Sequence, residues 1–205
     1  MKVLCIGDSL TAGYIDYDQD HAPYTDHLDR LLDHSVTINN AGVDGETVPE
    51  IEQRLGPLLQ DHYDVVVLLG GTNDLGGIIG FHPSTEAADT AVSHISFARI
   101  YSLILGSQTT KALIQLTVPF NAFDRMDSQS REQKEALNRR IQQTACMKRT
   151  VLDINDPALG FNYFYMTEQA RDMYFQDSLH YTAKGYQRLA ECVFSVLNPI
   201  LESLK

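Results

Sequence analysis

Nucleophilic acyl transfer needs an activated hydroxyl, a base within hydrogen-bond reach, and donors for the oxyanion that develops. The sequence holds a candidate for each. Ser9 follows Asp8 at the end of the apolar run Lys2-Val3-Leu4-Cys5-Ile6-Gly7, where a tight turn would present its hydroxyl at the mouth of a sheet. His180 lies in Asp177-Ser178-Leu179-His180, just before a helix start at Thr182. An i, i+3 spacing lets the Asp177 carboxylate reach the imidazole within one turn. Holding Nδ1–H, that carboxylate would leave Nε2 to face the serine and would stabilise the imidazolium formed during attack. Asn73, in Gly70-Gly71-Thr72-Asn73-Asp74, carries an NH₂ that can donate to an oxyanion, and the paired glycines let the backbone approach a ligand. Gly45 precedes the helix start at Thr47, where a backbone N–H would be a second donor. Each residue also has an ordinary reading: Ser9 as a helix N-cap, Asp177 as a cap beside a surface histidine, Asn73 as a turn residue. Gly45 alone says almost nothing. The other histidines, His21, His27, His34, His62, His82 and His94, have no acidic partner placed so near a helix start.

The elements that must hold these residues are readable from periodicity. Short apolar runs at Val3–Ile6, Ser35–Asn39, Val65–Leu69, Ala112–Val118 and Thr150–Ile154 read as strands. Val65–Leu69 is a continuous aliphatic run, which suits a strand covered on both faces. Helical spacing appears in Tyr24–Leu32 and Val48–Leu59, and within Thr85–Leu105, Gln129–Met147 and Thr182–Leu204. Thr47 with Glu50 resembles a capping box, with Pro49 in the first turn. Strands separated by helices imply right-handed crossovers and a parallel sheet. The expectation is an α/β chain: one three-layer α/β/α sandwich over residues 1–205, with about five strands. In the flavodoxin-like order strands one and three are neighbours, and ligands bind beyond their carboxyl ends, where Ser9 and Asn73 sit.

The 205 residues are 43% hydrophobic and 21% charged, with a formal charge of −11. That acidic balance repels phosphate backbones and anionic lipid, so no nucleic-acid partner is expected. Cys5, Cys146 and Cys192 are odd in number and widely spaced, without metal-ligand spacing. All three read as small buried hydrophobes. No aliphatic run is long enough to span a bilayer, and the apolar start is too short for a signal peptide. A cytoplasmic protein is expected.

Four blocks in order carry a family resemblance. Gly7-Asp8-Ser9-Leu10, Gly45, Gly71-Thr72-Asn73-Asp74 and Asp177-Ser178-Leu179-His180 resemble the GDSL, glycine, GxND and DxxH blocks of the SGNH/GDSL hydrolase superfamily. The resemblance implies a flavodoxin-like α/β/α sandwich and a serine ester hydrolase with neither metal nor organic cofactor. It implies Ser9 as nucleophile, His180 as base and Asp177 as its orienter. It also implies an oxyanion hole of the Ser9 and Gly45 N–H groups and Asn73 Nδ2. Two features depart from the pattern. Tyr181 stands where the family often has proline, and Gly42 is a second candidate for the block-two glycine.

Three apolar stretches should open at the same end of the sheet: Leu75–Phe81, Pro119–Phe123, and Phe161–Met166 with Tyr174-Phe175. They read either as a pocket for small acyl or aryl esters or as local core or a dimer face. The resemblance extends also to carbohydrate O-deacetylases, thioesterases and lysophospholipases, and a small-molecule or glycan-binding module is the non-enzyme alternative. No G-x-G-x-x-G or P-loop motif supports a nucleotide-binding protein.

Overall fold

The computed structural model describes residues 1–15, 21–75, 86–144 and 146–205, with side chains from 95 onward in the helix that begins at 86. Five strands, β1 (Lys2–Gly7), β2 (Thr37–Gly42), β3 (Val65–Leu69), β4 (Ala112–Leu116) and β5 (Arg149–Leu152), form one sheet. Its order is β2-β1-β3-β4-β5, the flavodoxin-like order, and every pairing is parallel. Val3 pairs with Val65 and Gly7 with Leu69, so β1 and β3 end level with each other.

Alternation along the strands divides the core in two. Val3, Cys5, Val65, Val67 and Leu69 pack with Tyr24 and Leu28 of α2 (Tyr24–Leu31) and with Tyr186, Leu189 and Val193 of α8 (Ala183–Ser203). Leu4, Ile6, Val66 and Leu68 face the other way. They meet Ile51 and Leu55 of α3 (Val48–Leu58), Phe97 and Ile100 of α4 (Glu86–Gly106), and Leu137 of α6 (Ser128–Gln143). A sheet buried on both faces needs aliphatic residues at consecutive positions, as Val65–Leu69 supplies. The remaining helices, α1 (Ser9–Ala12), α5 (Ala122–Met126) and α7 (Glu168–Tyr174), are short.

Several expected boundaries shift. The second strand runs from Thr37 to Gly42, later than Ser35–Asn39, because the polar side chains at its far end are satisfied. Asn39 donates to the Tyr63 hydroxyl at 2.6 Å, and Asn40 to Thr11 O at 2.8 Å. The fourth strand stops at Leu116 rather than Val118. Beyond it, Asn138 Oδ1 takes the Val118 N–H at 2.7 Å, and the Nδ2 groups of Asn138 and Asn155 reach Val118 O. Cys5 and Cys192 are buried as expected, but Cys146 is exposed in a turn before β5 and is not a core residue. The capping box forms, with Glu50 accepting the Thr47 N–H at 2.8 Å. Among the described residues no helix is long and apolar enough to cross a membrane.

Candidate active site

Ser9 is the first residue of α1, not its cap: Asp8 takes that role, its Oδ1 accepting the Leu10 N–H at 3.0 Å. At this first helical position the Ser9 N–H has no intrahelical acceptor. Gly7 lets the end of β3 come close against the end of β1, because a Cβ there would lie 1.8 Å from Leu69 O. Ser9 Oγ lies 3.0 Å from His180 Nε2. On the far side of the ring, His180 Nδ1 is 2.9 Å from Asp177 Oδ2. Asp177 Oδ1 accepts the backbone N–H groups of Leu179 and His180, each at 2.6 Å. Thus the DxxH turn is wound around its own carboxylate, and Nδ1–H donating to Asp177 leaves the Nε2 lone pair for the serine hydroxyl. Burial pushes the Asp177 carboxyl up, but the hydrogen bonds from the His180 ring and the two N–H groups outweigh it and hold the pKa at about 2.

His180 is not the molecule's only carboxylate-paired histidine. His34 pairs with Asp29 at 2.6 Å and His21 with Asp44 at 3.1 Å, spacings that sequence reasoning did not single out. The pair that meets Ser9 is that of His180.

The oxyanion candidates flank Ser9 because β1 lies between β2 and β3. Val43 N–H donates to Gly7 O at 3.0 Å, bringing the loop after β2 against the end of β1. Asn73 Nδ2 donates to Glu46 O at 2.8 Å, tying the loop after β3 to the residue beside Gly45. One amide proton of Asn73 is so used, and the side chain carries a second. The two glycines separate clearly. The Gly42 N–H is taken by Asn40 Oδ1 at 2.9 Å, and a Cβ there would lie 2.0 Å from Ala12 N, so this glycine serves the packing of α1 on β2. Gly45 adopts φ +78° in open space. Arg54 holds the loop from below: its Nε reaches the Glu46 carboxylate at 2.7 Å, and its Nη2 reaches Ala41 O at 2.6 Å and Gly7 O at 3.1 Å. Asp74 accepts the Val48 N–H at 3.0 Å, anchoring the first turn of α3. Asp74 belongs to the GxND-like block but had no role assigned from sequence, and Arg54 was not singled out, since nothing local marks bonds made across 13 and 47 positions.

Asp8 is fully buried, and its Oδ2 has no partner of good hydrogen-bond geometry among the described residues. Burial pushes its pKa up to about 7 despite the Leu10 N–H; nearby Asp74 adds to the rise, while His180 and the Thr72 N–H oppose it. Between the ordinary value of 3.8 and about 7, the folded chain keeps a proton that the unfolded chain has released, so stability falls as pH rises through that window. Asp8→Asn is therefore expected to be more stable than wild type by a few kcal/mol at about pH 8 and equal to it near pH 4, as read by urea unfolding at both values.

Of the expected substrate-facing stretches, residues 76–81 lie outside the described residues. In the third stretch Phe161, Met166 and Phe175 are core residues, and the rings of Phe161 and Phe175 each lie 5.0 Å from that of Tyr181. Tyr181 itself is buried, which explains an aromatic after His180. Tyr165 is 75% exposed, and Phe120 and Phe164 pack edge-on at 5.2 Å while remaining half-buried. The loop after β4 is set by a buried ion pair: Lys134 Nζ meets Asp124 Oδ2 at 2.6 Å and Pro119 O at 3.2 Å. It also meets the histidine turn, where Ala122 N–H donates to Ser178 O at 3.1 Å.

A profile of the GDSL-like lipase/acylhydrolase family matches residues 5–188, from β1 through the histidine turn into α8. The chain belongs to this family. Comparison with curated proteins gives no match. Among solved structures, a lipase/acylhydrolase from Enterococcus faecalis superposes with a TM-score of 0.72 at 22% identity, covering 96% of this chain and 94% of the other. A member of the lipolytic G-D-S-L family from Veillonella parvula gives 0.68 at 19%, over 96% and 98%. An acetylxylan esterase from Geobacillus stearothermophilus gives 0.67 at 20%, over 95% and 92%. At such identities these likenesses establish the fold, a three-layer α/β/α sandwich. Membership in the GDSL family makes the chain a hydrolase of the esterase and acylhydrolase group.

Proposed function

We propose that residues 1–205 form one catalytic unit, a serine esterase that works through an acyl-enzyme on small acyl or aryl esters. The observation that carries the proposal is the continuous relay from Ser9 Oγ through His180 to Asp177, with contacts of 3.0 and 2.9 Å. Ser9 Oγ adds to the ester carbonyl as its proton passes to His180 Nε2. The tetrahedral oxyanion accepts hydrogen bonds from the Ser9 and Gly45 N–H groups and from Asn73 Nδ2. Collapse of the intermediate breaks the bond to the alcohol oxygen, which leaves with the proton from Nε2. A water then repeats the sequence on the acyl-enzyme, His180 again taking and returning the proton. No step calls on a metal or organic cofactor.

Loss of one oxyanion donor removes stabilisation present only in the transition state. Asn73→Ala is expected to lower kcat by roughly 10²–10³ with little change in KM, measured by steady-state kinetics on one good substrate.

The substrate test is hydrolysis of p-nitrophenyl esters from acetate to long acyl chains. The proposal expects turnover that falls as the acyl chain lengthens. A long-chain optimum would contradict the small-acyl assignment.

A carbohydrate O-deacetylase is the second reading. It is favoured by an open cleft of about 490 Å³ against Gly45, walled by the hydrogen-bonding side chains of Asp44, Glu46, Glu50, Gln53 and Arg54. Such groups suit a polyhydroxylated alcohol, and one structural neighbour is an acetylxylan esterase. Acetate release from acetylated xylo-oligosaccharides, with no turnover of aryl acetates by folded protein, would decide for it.

A further inference from the structure

Tyr14 follows the nucleophile by five positions and lies against the base. Gly13 makes this possible: at φ +87° it closes α1, and a Cβ there would lie 2.3 Å from both N and Cα of Pro23. The backbone is then locked from both sides, Tyr14 N–H donating to Ser9 O at 3.1 Å and Tyr14 O accepting the Tyr186 hydroxyl at 2.9 Å. Tyr186 belongs to α8, which begins just after the histidine turn. One hydrogen-bonded unit therefore joins the nucleophile's helix to the helix that follows the base. Within it the Tyr14 and His180 rings have centroids 4.6 Å apart at an interplanar angle of 47°.

We propose that Tyr14 is a positioning residue for His180, whose ring face stabilises the imidazolium formed when Ser9 gives up its proton. This rests on the acyl-transfer reading above. An aromatic face within about 6 Å of a cation attracts it, and the attraction grows where water is displaced. Here the His180 side chain is only 17% exposed. The positive charge exists only while His180 holds the proton taken from Ser9 or, in the second half, from the attacking water, so the contact favours the transition states over the resting enzyme. The ionisable groups around His180 come from three directions. Asp177 is bonded to Nδ1 from its own turn, the buried Asp8 carboxyl lies nearby at the end of β1, and Tyr14 covers the ring from beyond α1. His21 stands edge-on to the Tyr14 ring at 6.1 Å, paired in turn with Asp44. Asp177 and Asp8 are present whatever occupies position 14, so the difference between a phenyl and an aliphatic side chain there reads the ring's share.

The test compares Tyr14→Phe, which keeps the π face, with Tyr14→Leu, which keeps apolar cover and loses it. Tyr14→Met replaces the leucine variant if that one does not fold. The readouts are the NMR titration midpoint of the His180 imidazole, which needs no turnover, and the kcat and KM of ester hydrolysis. In Tyr14→Leu the midpoint is expected to move to lower pH by about half to one unit, and kcat to fall about three- to tenfold at unchanged KM. Tyr14→Phe should match wild type in both. An unmoved midpoint in Tyr14→Leu, or equal impairment of both variants, overturns the proposal. Failure of the underlying reading looks different: Ser9→Ala would hydrolyse like wild type, whatever the midpoint does. A midpoint that shifts without any change in kcat retains the contact and overturns its role.

Discussion

Ser9→Ala is expected to lower kcat by about 10⁶-fold, leaving the fold intact. In sites built this way the nucleophile and base act as a unit, so removing either costs nearly as much as removing both. A residue of roughly 10³–10⁴ over the uncatalysed reaction should survive, because the backbone N–H at position 9, Gly45 and Asn73 can still polarise the carbonyl for attack by water. The substitution deletes one oxygen at a site that is 5% exposed, and the N-cap of α1 is Asp8, so helix and stability should change little. Single-turnover kinetics beside urea unfolding separates the two effects. A large loss of stability would mean that the Ser9 hydroxyl holds the turn together rather than reacting.

Asp177→Asn is expected to be the next most damaging change, at about 10⁴-fold in kcat. Held at about 2, the carboxyl is ionised at any workable assay pH, so the loss should be much the same from mildly acidic to alkaline conditions. Two consequences of the amide add together. An amide presenting its NH₂ to Nδ1 would turn the imidazole into the wrong tautomer, with the proton on Nε2 facing the serine. It would also remove the negative charge that offsets the imidazolium. The Leu179 and His180 N–H groups can still donate to the amide oxygen, so the turn should persist. Kinetics across pH with both proteins checks this, and a loss recovered at alkaline pH would contradict the assigned role.

Much of this was legible before the structure, for identifiable reasons. β3 has the same bounds in sequence and structure because a strand buried on both faces leaves an unbroken aliphatic run. The long helices α2, α3 and α8 carry two or more turns of apolar spacing, enough for a period to emerge. Helices α1, α5 and α7 span only four to seven residues, too few to show one. The edge strand β2 was misplaced because its sequence, Thr37-Ile38-Asn39-Asn40-Ala41-Gly42, looks like a turn until the partners of its two asparagines are known. In the site, Ser9, Asp177 and His180 were marked by local blocks. That the Gly42 N–H is already claimed by Asn40 is a contact without a local signature. The Arg54 clamp, the Lys134–Asp124 pair and the Tyr14–His180 contact are tertiary pairings without a local trace. Burial of Phe161 and Phe175 shows the converse limit: aromatics beside a predicted site are as readily its foundation as its wall.

Covalent trapping probes the assignment of Ser9 as the activated nucleophile without needing the natural substrate. Wild-type protein and Ser9→Ala are treated with a fluorophosphonate, and the adduct is located by peptide mass spectrometry. A single phosphonyl adduct on Ser9 is expected, lost in Ser9→Ala and slowed in Asp177→Asn. Labelling of another residue at the wild-type rate, or no labelling of folded wild-type protein, would contradict it.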